Sequence, residues 1–213
     1  MRMPIPMRMP ISIVTAVLLG LTLPSCTTFK RWGYEGWGRD DWQKPDHVVQ
    51  VLEIVPGQSV ADLGSGGGYF TFRLSDAVGS NGKVYAVDVD ESLLEYVGER
   101  AQKEGRSNVI PVRATFDDPG LEDGTVDLLF TSNTYHHIES RPAYFARASR
   151  VLRPGGRVAI IDLDDRTWLM RLFGHTTARD EIVREMEGAG YRLQSTYDFL
   201  PRQSFLVFVR TGG

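Results

Sequence analysis

Val60-Ala61-Asp62-Leu63-Gly64-Ser65-Gly66-Gly67-Gly68-Tyr69-Phe70 is the stretch that decides the fold. Val60, Ala61 and Leu63 form a short apolar run, the pattern of a strand covered on both faces. Gly64, Gly66 and Gly68 alternate behind it, with Gly67 added. Such a turn lets the backbone approach a ligand closely, because no side chain holds it off. The helix predicted to follow presents its first N–H groups to the same ligand. A flexible surface loop would not sit between a strand signal and a helix signal.

The acidic residue and the glycine spacing narrow the ligand. A dinucleotide fingerprint needs Gly or Ala three residues after its second glycine, and Tyr69 stands there. A P-loop needs Gly-Lys-Ser/Thr, which is absent. The remaining pattern, Asp62-x-Gly64-x-Gly66-x-Gly68, resembles the first motif of the class I S-adenosylmethionine-dependent methyltransferases. That cofactor has no phosphate but carries a cationic sulfonium and an amino-acid end. Asp62 and the open amides around Ser65 suit both.

Downstream the chain alternates. Lys83 to Asp88, Asn108 to Ala114, Val126 to Ser132 and Gly156 to Asp162 read as strands. Tyr69 to Val78, Glu91 to Glu104, Arg141 to Arg153 and Thr177 to Gly188 read as helices. Tyr191 to Phe199 and Ser204 to Arg210 predict a hairpin around Pro201. Alternation of this kind implies a mostly parallel sheet with helices on both faces. The fold class expected is therefore α/β: a Rossmann-like seven-stranded sheet with a C-terminal antiparallel hairpin.

Four further places carry expected site residues. Asp88 ends the second strand, where an acid can accept both ribose hydroxyls of a nucleoside; Asp90 fits better as a helix cap. Thr115, Phe116 and Asp117 follow the third strand, and the resemblance puts the adenine contact among them. Asn133 ends the fourth strand and could touch the methionine end of the cofactor. His136 and His137 come directly after, two of the four histidines in the chain. Either could remove a proton from the methyl acceptor, or the pair could serve packing alone. A histidine pair by itself is not a metal site, and no metal is expected. Val151-Leu152-Arg153-Pro154-Gly155-Gly156 resembles the family's turn before the fifth strand, with a structural role.

The whole chain has 213 residues, 42% hydrophobic and 24% charged, ordinary for one globular domain. A net charge of −3 gives no footprint for nucleic acid. Arg2 and Arg8 precede an apolar run from Ile11 to Leu23, which fits a secretory signal and is too short to span a bilayer. The run ends in Leu23-Pro24-Ser25-Cys26, which looks like a bacterial lipobox with Cys26 as the lipidated residue. Cys26 is the only cysteine, so no disulfide forms within the chain. Residues 1–25 are thus expected to be a signal, 26–45 an aromatic-rich segment, and 46–213 the methyltransferase domain. The aromatic segment holds Phe29, Trp32, Tyr34, Trp37 and Trp42 without helical or strand period. It is either a tether resting on the membrane interface or a lid over the cofactor pocket. Asp46 to Val55 predicts a helix capped by Asp46.

These readings imply transfer of a methyl group from S-adenosylmethionine to a small-molecule or envelope acceptor, by an exported, lipid-anchored enzyme on the periplasmic side. The rival is an envelope protein that binds the cofactor without turnover. A nicotinamide oxidoreductase is disfavoured by Tyr69.

Overall fold

The computed structural model describes residues 38–164 and 176–212. The expected signal, Cys26 and the aromatics Phe29 to Trp37 lie outside these residues, as does the stretch directly after Asp164.

Seven strands form one sheet in the order β3-β2-β1-β4-β5-β7-β6. They are β1 (Ser59–Leu63), β2 (Lys83–Asp88), β3 (Val109–Arg113), β4 (Val126–Ser132), β5 (Leu152–Leu163), β6 (Tyr191–Tyr197) and β7 (Gln203–Arg210). The first five are parallel to their neighbours, and β7 runs antiparallel between β5 and β6. This is the Rossmann-like sheet with a terminal hairpin that the alternation of the sequence implies.

Six α-helices accompany it among the described residues: α1 (Arg39–Gln43), α2 (Pro45–Val51), α3 (Thr71–Val78), α4 (Glu91–Lys103), α5 (Arg141–Ala148) and α6 (Arg179–Gly188). The strands alternate strictly between two apolar layers, as a pleated sheet buried on both sides must. Val60, Leu128, Phe130, Ala159 and Ile161 meet Val48 of α2, Leu52 at its C-terminal cap, and Leu74 and Val78 of α3. Ala61, Leu63, Leu129, Val158 and Ile160 meet Phe145 of α5 and Ile182 and Met186 of α6. Each layer removes several fully buried side chains from water, at about 1.5–3 kcal/mol apiece.

Two element ends differ from the sequence reading. The helix predicted from Asp46 starts at Pro45 and stops at Val51; Lys44, at φ 43°, takes the cap position without a side-chain bond. Pro45 needs no N–H partner at the first helical position, and Asp46 sits in the first turn, where the helix dipole favours an anion. The helix predicted to reach Arg153 ends at Ala148, followed by a 3₁₀ turn at Ser149–Val151. Leu152 already pairs with Val126, and the partner of Leu128 is Arg157. Arg153 to Gly156 therefore loop out of the ladder. Strand pairing here overrides a helical period that Val151 and Leu152 continue.

Chain direction explains where a ligand can sit. From β1 the chain builds outward through β2 and β3, then returns to add β4 and β5 on the other side. The carboxyl ends of β1 and β4 face a crevice at this reversal, the place where such sheets bind ligands.

Candidate cofactor and acceptor site

A cavity of about 770 Å³ opens at that crevice. Asp62, Gly64, Ser65, Gly66 and Gly67 line it from β1 and its turn, Asp88 and Asp90 from the end of β2 and the residues after it, and Thr115, Phe116 and Asp117 from the loop after β3. Ser132, Asn133 and Thr134 line it from β4, and His137 and Tyr144 from the elements beyond.

The glycine turn is shaped by two constraints. Gly64, Gly66 and Gly68 all have positive φ, at 74°, 53° and 85°, a region other residues enter with strain. A Cβ on Gly64 would also lie 2.1 Å from Thr134 Oγ1, and one on Gly68 2.6 Å from Phe72 Cε2. Gly68 lies behind the cavity wall and fixes the turn against α3 and α4. The turn is strapped to the next strand: the N–H groups of Gly64 and Ser65 donate to the carbonyl of Val87 at 2.8 and 3.1 Å.

Asp88 completes the strap. Its Oδ2 accepts from Gly66 N–H at 2.8 Å and its Oδ1 from Asp90 N–H at 2.9 Å. Each carboxylate oxygen keeps further lone-pair capacity toward the cavity. Asp90 in turn caps α4 by accepting from Ser92 N–H at 3.0 Å, the cap read from the sequence.

Asp62 lies deeper and is 3% exposed. The Thr71 hydroxyl donates to its Oδ2 at 2.6 Å. Burial pushes its carboxyl up to about 7; the Thr71 bond opposes that, the nearby Asp88 charge adds to it, and Arg39 opposes it. The site thus holds a carboxyl that a cationic ligand would ionise. The hydroxyls of Ser65 and Ser132 are buried and have no hydrogen-bond partner among the described residues, so both leave donor and acceptor capacity for an occupant.

Beyond β3, the Thr115 hydroxyl donates to Asp117 Oδ1 at 2.7 Å, and Arg147 Nη1 donates to Asp117 Oδ2 at 2.7 Å. The Thr115 bond first, then Arg147, hold Asp117 below its usual range. Phe116, between them, is 83% exposed on the cavity rim. All three residues left open for the adenine contact are therefore at the cavity.

Asn133 adopts φ 57°, a left-handed conformation that Asn tolerates better than most residues. Its N–H donates to the Ile161 carbonyl at 2.8 Å, and its Oδ1 accepts from Gln203 Nε2 at 2.7 Å. The 3₁₀ turn Tyr135–His137 follows. Tyr135 is its buried anchor: the hydroxyl donates to Glu185 Oε2 at 2.7 Å, which also receives Arg141 Nε at 2.7 Å. The two histidines diverge from this turn. His137 lines the cavity. His136 turns to Asp162, with Nδ1 2.8 Å from Oδ1 and side-chain exposures of 6% and 0%.

Arg39 and Trp42 of α1 also line the cavity, and of these two Arg39 escapes sequence reasoning. Trp42 belongs to the aromatic segment whose role was open between tether and lid, and it sits in the cavity wall. Nothing in the pattern around Arg39 marks it, since α1 has only five residues and no period. Among the described residues, no group of three or more His, Cys, Asp or Glu side chains is placed to hold a metal ion.

Residues 54–193 match the family described as methyltransferase domain. The chain belongs to that family. A solved SAM-dependent methyltransferase from Aquifex aeolicus is 26% identical, superposes with a TM-score of 0.76, and covers 83% of this chain and 94% of its own. The ubiquinone/menaquinone biosynthesis C-methyltransferase of Shewanella frigidimarina is 27% identical over 78% of this chain and 59% of its own length. The arsenite methyltransferase of Halobacterium salinarum is 32% identical over 52% and 28%. The chain spans between 28% and 59% of the length of the curated relatives it matches first. The cofactor that goes with the family is S-adenosylmethionine. The residues present fit it: a glycine turn in which Thr134 leaves no room for a side chain on Gly64, a carboxylate at the end of β2, and a buried acid within β1.

Proposed function

We propose that this methyltransferase domain transfers a methyl group from S-adenosylmethionine to an apolar aromatic acceptor of the phenol or quinol class. The observation that carries the reading is the wall of the cavity. Trp42, Tyr69, Phe70, Phe116 and Tyr144 line it, with Ile138, and His137 stands among them. Such a wall suits a flat apolar ring better than a small ion. One relative's name points to a quinone. Another's names arsenite, but a soft arsenic centre is held by thiolates and this sequence has one cysteine.

When bound, the cofactor would supply an electrophilic methyl on a sulfonium sulfur, the C–S electron pair remaining with sulfur. The acceptor oxygen, or a ring carbon activated by it, makes the new bond to carbon. The protein aligns the two and excludes water, which accounts for most of such a transfer. His137 takes the proton that the acceptor loses.

The proposal includes export and a lipid anchor on Cys26, which would hold the cavity at a membrane surface where quinols dissolve. One acyl chain anchors weakly and several anchor firmly. Mass spectrometry of the mature N-terminus tests this part, and an unmodified Cys26 removes it. For the acceptor, the full chain is incubated with labelled S-adenosylmethionine and a panel of reduced quinols, phenols, amines and arsenite. Label in a quinol or phenol is expected. Label only in an amine or in arsenite overturns the acceptor class, and binding without transfer to any acceptor favours the non-catalytic rival.

A further inference from the structure

His137 does its proposed work from a short turn, and it is exposed where it lines the cavity. A base must hold its nitrogen about 2.6–3.2 Å from the proton it takes. A displacement of about 1 Å in such a contact costs on the order of 10²-fold in rate. The backbone fixes part of this, since the His137 N–H donates to the Thr134 carbonyl at 2.9 Å. It leaves the side-chain torsions of the imidazole to be set by neighbours.

One neighbour is the ring of His136. The two imidazole centroids are 4.1 Å apart, with planes inclined by 49°. His136 is itself directed by Asp162, whose Oδ1 lies 2.8 Å from its Nδ1. A carboxylate oxygen accepts, so the proton of that contact belongs to Nδ1 of His136. Asp162 has a fixed backbone. It lies within β5 opposite Ser204 of β7, and the preceding Ile161 pairs with Ser132 of β4. Its second oxygen, Oδ2, is buried and has no hydrogen-bond partner among the described residues. A buried carboxylate satisfied on one oxygen is a poor stabiliser, because desolvation of the other is uncompensated. An apolar residue would fill the same space at lower cost. Asp162, His136 and His137 thus form a row that leads from the centre of the sheet to the cavity.

We propose that Asp162 is a positioning residue for the methyl transfer: through the His136 ring it fixes the orientation in which the His137 imidazole enters the cavity. The proposal rests on the reading of His137 as the group that takes the acceptor's proton. The alternative is that Asp162 and His136 only fill the space behind the turn, and the test separates the two.

The full chain is labelled with ¹³C and ¹⁵N in histidine, saturated with S-adenosylhomocysteine, and read by NMR. The parent should hold His137 in one rotamer, with cross-relaxation to the His136 ring. Asp162→Ala should average that rotamer and lose the cross-peak. Asp162→Asn should recover part of the order, because its amide oxygen can still accept from Nδ1–H. His47 of α2, which does not line the cavity, is the internal reference. Turnover on the quinol or phenol that takes the label gives the second readout. Asp162→Ala should lower kcat by about 10- to 100-fold with acceptor KM and S-adenosylhomocysteine affinity unchanged, and the loss should vanish in a His137→Ala background. An unchanged His137 rotamer in both Asp162 variants overturns the proposal, as does an equal fractional loss of rate with and without His137. If Asp162→Ala does not fold, Asp162→Asn decides: partial order supports the proposal, and order equal to the parent overturns it. Full turnover in His137→Ala alone strikes the reading of His137 as the base, and the proposal falls with it.

Discussion

The N–H of Gly66 donates to Asp88 Oδ2 at 2.8 Å, so the glycine turn and the acid of the next strand form one unit. Asp88 therefore has two tasks. It fixes the turn through Gly66 and Asp90, and it offers its remaining lone pairs to the cavity. Asp88→Ala should weaken S-adenosylhomocysteine by about 10- to 100-fold and also lower stability by about 1–3 kcal/mol, because two backbone donors lose a charged acceptor. Calorimetry and chemical denaturation read the two effects separately. Unchanged affinity in a folded variant would remove Asp88 from the ribose site.

Asp62 gives a pH dependence with a definite sign. Its carboxyl titrates near pH 7 in the folded protein, against an ordinary value of 3.8. Between those values the folded state binds more protons than the unfolded one, so stability falls as pH rises through this window. The contribution from this group is at most about 4 kcal/mol, fully present below pH 4 and lost above pH 7. Asp62→Asn should flatten the stability-versus-pH curve of the ligand-free protein between about pH 4 and 7. The same slope in that variant would mean the carboxyl is not the group titrating.

The histidine pair should split by function. His137→Ala is expected to lose about 10²- to 10⁴-fold in turnover while keeping affinity for S-adenosylhomocysteine. His136→Ala is expected to lose about 2–4 kcal/mol of stability, since it leaves the fully buried Asp162 without its partner at 2.8 Å. Rate against pH and thermal melts of both variants decide this. Full turnover in His137→Ala would leave alignment as the whole mechanism.

Much of this was legible in the chain because it is local. Asp62 to Gly68 combines a buried strand, a turn that needs positive φ, and a helix start within one short window. Lys83–Asp88 and Val126–Ser132 carry the apolar runs of central strands, and the residues ending them follow from strand direction alone. Other features depend on contacts distant in sequence. The helix end at Ala148 is set by Leu152 pairing with Val126, which no local period records. The divergence of His136 from His137 needs Asp162 on the next strand, and the pinning of Asp117 needs Arg147 on α5. Arg39 was illegible for a different reason. Its helix has five residues, bracketed by Gly38 at φ 75° and Lys44 at φ 43°, too short for any periodic signal.

Arg39 and Trp42 stand upstream of residues 54–193, the part of the chain shared with the family. The glycine turn and the first five strands lie inside that match, while one wall of the cavity comes from the segment that leads into it. A substitution in that wall leaves the strands untouched while altering which molecules enter and how firmly they stay. A chimera carrying residues 38–44 on a relative's sheet would transplant selectivity separately from chemistry.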